Sequence, residues 1–580
     1  MDKVSKKQNL FLLVCTLTLN TALFLLSISF YNCVYATNDD YRMSLIVSGA
    51  YTGEPSDNLV FMKYPIALLI SSLYKITTAV PWYGIATMLC IFIPSCIICY
   101  FVLRETKKSG HLVIGFSIYI LFYLFIVQKH VVLPQFTLTA AFMALAWVVM
   151  LWYMPKNRGI VYIIFTALLA AIAFSIRMKV FFMISPVAIL VVVIRLLKEH
   201  SEDTKYILKY AVSAVLALVL CLTAQISTNI TVDTNYEAFN TARSLVYDYG
   251  EIPPYELNKE FYDKVGIDET VYYDISARYL DLDGDITTEK LHSLAEYIEE
   301  CKNNTPAVER LGNALVTVPS FLFESGLEYQ TIFVAILLLI SVFIAFRRKK
   351  PFIAALVLCT AAGMILEMIY ICYISRLIDR LAEVCLLTIA VVCLLSINAL
   401  ISEKSNRIEK KVSNPTTPKK ICRVLSVVCF VSVGLCLIVS NQNYISSKSY
   451  NQNLINSRLE VLNETASNEK DSFYFYDSYD FIAASSDVFA VYDDTINTDS
   501  LGNWYINSPD YFERNEQYGF TSSVDGLIDG SKNIYFASIG NLKNGITLTM
   551  KERYNMEPLL VRTIPYANNN IYIYTFVPCG

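Results

Sequence analysis

The stretch YPIALLISSLYKITTAV (residues 64–80) decides the topology of this chain, because it is apolar enough to pass for a membrane span. Counted as a span, it puts the basic segments RETKKSG, PKNRG, RLLKEHSEDTK, FRRKKP and loop 402–423 on the outer face, inverting the positive-inside rule each time. Taken instead as a helix lying at or dipping into the outer interface, it leaves those segments in the cytoplasm, together with Lys3, Lys6 and Lys7. Working outward on that basis gives eleven spans: roughly 10–31, 83–103, 111–128, 134–153, 159–176, 180–197, 206–228, 329–346, 352–373, 381–400 and 424–440. The N-terminus is then cytoplasmic and the C-terminus outside.

Composition supports the class. A chain of 580 residues with 55% hydrophobic and 17% charged residues and a mean hydropathy of +0.44 is too apolar for a soluble enzyme. It reads as a polytopic α-helical membrane protein. Its 47 basic and 51 acidic residues give no global field that would hold nucleic acid. Fifteen cysteines sit mostly singly in apolar runs such as TMLCIFIPSCIICYF, where a thiol acts as a small hydrophobe, and no disulfide framework or zinc spacing is visible. The first apolar run follows a basic flank without a small-residue cleavage pattern, as expected of a retained helix.

Three polar pieces face outward. Loop 32–82 carries the pair Asp39 and Asp40 directly after the first span, within YATNDDYRMSLIVSGAY. Loop 229–328 holds 18 acidic and 7 basic residues between 229 and 312. It reads as mostly helical, with a helix capped by Thr287 and an apolar face at Leu291, Leu294 and Ile298. Residues 441–580 form an extracytoplasmic α/β domain after the 1–440 membrane domain. Its strand-like runs are DSFYFYDSYDF, NIYFASI, PLLVRTI and NIYIYTFV, with LKNGITLTMKERYN as a helix or turn between them. Tyrosine and asparagine abound there, which suits sugar stacking and equally suits ordinary strands and turns.

Cations at the outer ends of spans break the positive-inside pattern: Lys129 and His130, Arg177 and Lys179, Arg376 and Arg380. Each costs roughly 2.5–3.5 kcal/mol near hydrocarbon, so such residues serve a pathway, a partner or an anionic ligand. Arg376, Asp379 and Arg380 share a face if their turn is helical, and two guanidiniums there can grip a phosphate. An Arg376–Asp379 ion pair with snorkelling to headgroups is the structural alternative. Glu367 and Glu383 are ionisable groups in costly positions, most simply paired with Arg177 or Arg376. A carboxylate pair facing such cations suits transfer of a sugar from a lipid phosphate: a base takes the acceptor proton and cations stabilise the leaving phosphate. One aspartate is expected to act while the other orients it, caps a helix or binds metal; an Asx cap for a helix near Tyr41 is the structural alternative.

The arrangement resembles the C-type glycosyltransferases, membrane enzymes that use polyprenyl-phosphate-linked donors. It does so in NDDYRM just after the first span, in the interfacial stretch 64–80, in about eleven spans and in the outer C-terminal domain. The resemblance implies an inverting transferase acting on a cell-envelope glycan, lipid or protein acceptor, with Asp39 as base and Asp40 as its acidic neighbour. The candidates for contact with the donor phosphate are the cations named above, Arg376, Arg380, Arg177, Lys179, Lys129 and His130, with Arg42, Glu367 and Asp379 in support. The family's second acidic residue is often Glu, here Asp, and the acidic insertion 229–312 is this chain's own. The sequence also looks like uncharacterised bacterial membrane proteins with a DDYRMSLIVSGAY type of first loop. Metal use stays open: the Asp pair can hold a divalent ion such as Mg or Mn or work without one.

DLDGDITTE (281–289) has its glycine misplaced for an EF-hand, so capping of the next helix is the better account. No Walker, HExxH or GxSxG pattern occurs. Two other classes stand beside the transferase: a transporter or flippase of lipid-linked saccharides, for which paired discontinuous helices and an internal repeat are missing, and a non-catalytic envelope scaffold.

Overall fold

The computed structural model describes residues 6–108, 112–155, 159–199, 204–282, 284–324, 326–402, 417–481, 484–540, 542, 544–567 and 569–580. The basic segments expected in the cytoplasm lie partly outside these residues, at 109–111, 156–158, 200–203 and 403–416. Among the described residues, eight helices are long and apolar enough to cross a membrane. They are Lys7–Phe30, Trp82–Lys107, Leu112–Val132, Met178–Leu197, Tyr206–Thr231, Glu328–Arg347, Pro351–Tyr373 and Asp379–Ile401. Phe136–Trp152 and Ile160–Ile176 are shorter apolar helices. The first of these is buried nearly all round, which makes it the centre of the bundle. The expected eleventh span, 424–440, falls within the 51-residue helix Thr417–Ser467. The chain is thus a multi-pass helical membrane protein.

Local details differ from the expected boundaries. The third span contains a π-helical turn at Tyr123–Val127 and runs on to Val132, so Lys129 and His130 belong to the helix rather than follow it. The stretch 64–80 forms the helix Tyr64–Ile76 of 13 residues, about 20 Å long, too short for a hydrocarbon core of roughly 30 Å. Both of its ends sit at one end of the bundle. The Lys63 N–H donates to the Ser175 carbonyl at 2.7 Å, the Tyr64 N–H to the Thr228 hydroxyl at 2.9 Å, and the Tyr74 hydroxyl accepts from the Tyr83 N–H at 3.1 Å.

The same bundle end gathers the first loop, the long second loop and the C-terminal sheet. The Val34 N–H donates to the Val132 carbonyl at 3.1 Å, and the Ala36 N–H to that of Pro134 at 3.0 Å. The helix Thr417–Ser467, about 75 Å long, runs from the bundle to the sheet. Its Ser449 hydroxyl donates to the Asn32 carbonyl at 2.8 Å on the way. Residue 441, the expected start of the C-terminal domain, lies inside this helix; the first strand begins at Ser472.

Five strands, β1 (Ser472–Tyr476), β2 (Thr498–Ser500), β3 (Asn533–Ser538), β4 (Met556–Tyr566) and β5 (Asn569–Pro578), form one sheet in the order β2-β1-β3-β5-β4. β1 is parallel to β2 and β3, while β5 runs antiparallel to β3 and β4. All residues of β1 are buried, and after Ser472 the run FYFY is continuously aromatic. The second loop supplies part of the domain's core: Ala277, Tyr279 and Leu282 pack with Phe473, Phe475 and Phe536. The Tyr279 hydroxyl donates to Asp477, and Asp281 accepts from the Ser523 N–H at 2.6 Å. A Cβ at Gly502 would fall 1.3 Å from the Arg278 carbonyl oxygen, so this joint requires glycine. In the same loop, the helix Thr288–Asn303 is capped by Thr287 and buries Leu291, Leu294 and Ile298, as its spacing predicts.

Candidate active site

The aspartate pair opens the helix Asn38–Ser48, which is buried from Asp40 to Ser48 and stops at Gly49 with a φ of +87°. Successive helical residues point about 100° apart, so three charged side chains on this short helix reach three different neighbours. Asp39 faces a cavity of about 960 Å³ between the bundle end, the second loop and the sheet domain. Asp40 is fully buried and turns to the start of the helix Phe136–Trp152. There it accepts from the Phe136 N–H at 3.2 and 3.4 Å, from the Tyr83 hydroxyl at 2.9 Å and from the Thr37 hydroxyl at 3.3 Å. It therefore satisfies an orphan amide of a helix 96 residues away, and neither aspartate caps its own helix. Burial pushes the Asp40 carboxyl up to about 7, with the Asp39 charge adding to the rise and the Tyr83 hydrogen bond opposing it.

Arg42, the third, points into the sheet domain and is 3% exposed. Its guanidinium pairs with Asp499 at 3.3 Å, bonds the Tyr476 hydroxyl, and lies 5.0 Å from the Tyr505 ring centroid. Asp499 also takes Arg514 at 2.8 Å and the Tyr51 hydroxyl at 3.0 Å. This is a closed, buried knot that ties the first loop to the domain.

Around Asp39 the balance is reversed. Arg380 approaches its carboxylate to 3.9 Å, and the Asp39 side chain retains 16% exposure toward the cavity. Burial raises the Asp39 carboxyl above the ordinary range, with the charges of Arg380, Arg177 and Arg243 pulling it back. The indole N–H of Trp504 faces the same carboxylate without reaching normal hydrogen-bond geometry. Arg177 sits over the stacked rings of Phe61 and Phe136, 5.2 and 5.1 Å from their centroids, and has no ion pair among the described residues. Burial, and then the charge of Arg380, pull its guanidinium down to about 10, with the Asp39 charge opposing. Arg376 is held elsewhere on the wall, 2.9 Å from Asp248 and 4.5 Å from the Tyr249 ring centroid. Burial raises the Asp248 carboxyl, but Arg376, Ser244 and Arg243 outweigh it and leave it below the ordinary value. Lys179 also lines the cavity, 3.4 Å from the Tyr249 hydroxyl.

Several expected partnerships are corrected. The turn after Tyr373 is not helical, and Asp379 only begins the next helix, so Arg376 pairs with Asp248 and not Asp379. Glu383 pairs with Lys129, 254 residues away in sequence, rather than with Arg177 or Arg376. Lys129 also lies 5.4 Å from the Tyr444 ring centroid. His130 is buried with its ring against Phe142, 5.7 Å between centroids. Neither Lys129 nor His130 lines the cavity. Glu367 has no ion pair among the described residues and lines a second space of about 370 Å³ beside the cavity. That space is walled by Val180, Phe182, Ile371 and Leu381 and shares Arg177, Lys179, Arg376 and Arg380 with the cavity.

Sequence reasoning missed Lys63, Arg243, Asp248 and Trp504, all on the cavity wall. Arg243 could have been flagged as one of only seven cations in the acidic stretch 229–312; nothing marked Trp504. Among the described residues, no group of three or more His, Cys, Asp or Glu is placed to hold a metal ion.

Fold and cavity together define a multi-pass membrane protein with a charged chamber at one end of its helix bundle. No family model matches the chain, and no curated protein matches it in sequence. Among solved structures, the crystal structure of ArnT from Cupriavidus metallidurans in the apo state aligns over 97% of both chains, at 9% identity and a TM-score of 0.40. A likeness of that degree carries no functional weight.

Proposed function

We propose that this chain is an inverting C-type glycosyltransferase that moves a sugar from a polyprenyl-phosphate donor to an envelope acceptor on the extracytoplasmic face. The observation that carries the reading is one carboxylate, Asp39, set beside Arg380 and an Arg177 that has no ion pair among the described residues, where a polar chamber meets an apolar side space. The donor's phosphate binds at Arg177 and Arg380, with its lipid chain leaving through the side space between Phe182 and Leu381. Asp39 takes the proton of the acceptor hydroxyl, whose oxygen attacks the anomeric carbon from the face opposite the phosphate. The bond from that carbon to the phosphate oxygen breaks, and its electron pair leaves with the lipid phosphate, whose added charge the two guanidiniums stabilise. Asp40 acts as a brace that fixes the helix carrying Asp39. The positive charge facing Asp39 comes from guanidinium groups, chiefly Arg380 and Arg177.

The test is consumption of radiolabelled polyprenyl-phosphate sugars by the purified protein, with Asp39→Asn as the comparison after its fold is confirmed. Consumption by the wild type alone supports the reading. A panel in which no donor is consumed, or an Asp39→Asn protein as active as wild type, puts the transporter or scaffold reading ahead.

A further inference from the structure

The chamber has a second wall for which transfer from a lipid phosphate gives no account. On the helix Thr234–Asp248, Tyr236, Phe239, Ala242 and Val246 are buried, while Glu237, Asn240, Thr241 and Ser244 line the chamber. Their spacing of three, four and seven places them in one stripe. The Asn240 carbonyl oxygen accepts from Arg243 Nε at 2.9 Å, which leaves its amide nitrogen as a donor without a described partner. The Glu237 carboxylate forms no ion pair or hydrogen bond with a described residue and acts on Lys63 only at longer range. Trp504 lines the same chamber; it is buried, and its indole N–H faces Asp39 without a hydrogen bond. Its ring lies 4.8 Å from that of Phe61, and its carbonyl is held by the Tyr236 hydroxyl at 2.6 Å, so the same helix that bears the stripe fixes the aromatic wall.

Given the transferase reading above, we infer that this stripe is the acceptor track and that it takes a neutral or amine-bearing saccharide, not a polyanionic one. Uncommitted amide, hydroxyl and carboxylate groups in a chamber that an aromatic ring also lines suit a ligand with both hydroxyls and apolar ring faces. Charge sets the rest. The start of the helix combines Glu237 and Asp233 with the wall residue Asp57 and one cation, Lys63, whereas Arg380, Arg177 and Arg243 act on Asp39. A phosphate- or carboxylate-bearing chain would meet three carboxylates against one cation at the Glu237 end of the track, where an ammonium group would be attracted. The stripe also runs past Asn240, whose carbonyl oxygen holds the Arg243 that acts on Asp39, so a saccharide lying along it passes the reacting carboxylate.

The experiment measures saccharide binding to the full-length protein in lipid nanodiscs, without donor. The probes are a neutral glucan oligomer, a glucosamine oligomer with free amines, and a galacturonate oligomer. The proteins are wild type, Asn240→Ala, Thr241→Val and Glu237→Gln, each first shown to unfold at the wild-type temperature. Wild type should bind the neutral or amine-bearing oligomer and not the galacturonate. Asn240→Ala and Thr241→Val should weaken binding, and Glu237→Gln should reduce the preference for amines by about tenfold, as for loss of one charge-assisted hydrogen bond. Tightest binding of the galacturonate, or saccharide binding unchanged in all three variants, overturns the inference. Because no donor is present, this result is independent of the donor-consumption test: a protein that consumes donor but fails here loses only the track.

Discussion

Two arginine–aspartate assemblies hang from one short helix, three residues apart, and they are built in opposite ways. Arg42 enters a knot in which Asp499 serves both Arg42 and Arg514, and all three charged members are at most 3% exposed. Asp39 stands at a cavity with more cations than it can neutralise; Arg380 stays 3.9 Å away and Arg177 has only aromatic rings beneath it. A closed knot holds parts together, and removing one member strands a buried charge. An open one has charge left over for a ligand. The difference lies in satisfied partners, since residue types and helix are the same.

The sharpest way to break the comparison is Asp39→Asn. It should lower donor consumption about 10²–10⁴-fold while leaving the unfolding temperature near wild type. Asp499→Ala should do the reverse in kind: loss of about 3–5 kcal/mol of stability, read as a fall in the unfolding temperature and easier proteolysis between the first loop and the sheet domain. Arg380→Ala belongs with Asp39, costing about 10²–10³-fold in turnover, comparable to loss of one charge-stabilising donor.

A finer test is pH. Asp39 must be ionised to act, so activity should fall as pH drops through its raised pKa, at an acid limb above the ordinary 3.8. Arg380 pulls that pKa down, so Arg380→Ala should move the limb to higher pH. Asp40 gives the smallest effect. Its native pKa of about 7 exceeds the ordinary 3.8, so between these values the folded state binds more protons than the unfolded one and stability declines as pH rises. Asp40→Asn keeps an acceptor for Phe136 and Tyr83 and should flatten that decline in a series of thermal melts.

The legible part of this protein was the part that local chemistry determines. Apolar runs and basic flanks gave the helices, and the reading of 64–80 as a non-spanning helix agrees with its 13-residue length and with both ends lying at one end of the bundle. Thr287 and the spacing of Leu291, Leu294 and Ile298 gave a helix with its cap. Four of the five strands were visible as aromatic and β-branched runs, whereas the three-residue β2 is too short to leave a pattern. The candidate site was half legible. Asp39, Arg42, Arg177, Lys179, Arg376 and Arg380 line one cavity, but Lys129 and His130 do not.

By itself, then, the sequence determined a helical membrane bundle with polar pieces gathered by its loops, because burial of apolar runs and exclusion of charge are additive, local effects. Only the tertiary structure decided which charge answers which. Lys129 meets Glu383 across 254 residues, Arg376 meets Asp248 across 128, and Asp40 closes a helix start 96 residues on. Partner choice among buried charges depends on distance and desolvation in the folded chain, and residue spacing carries neither.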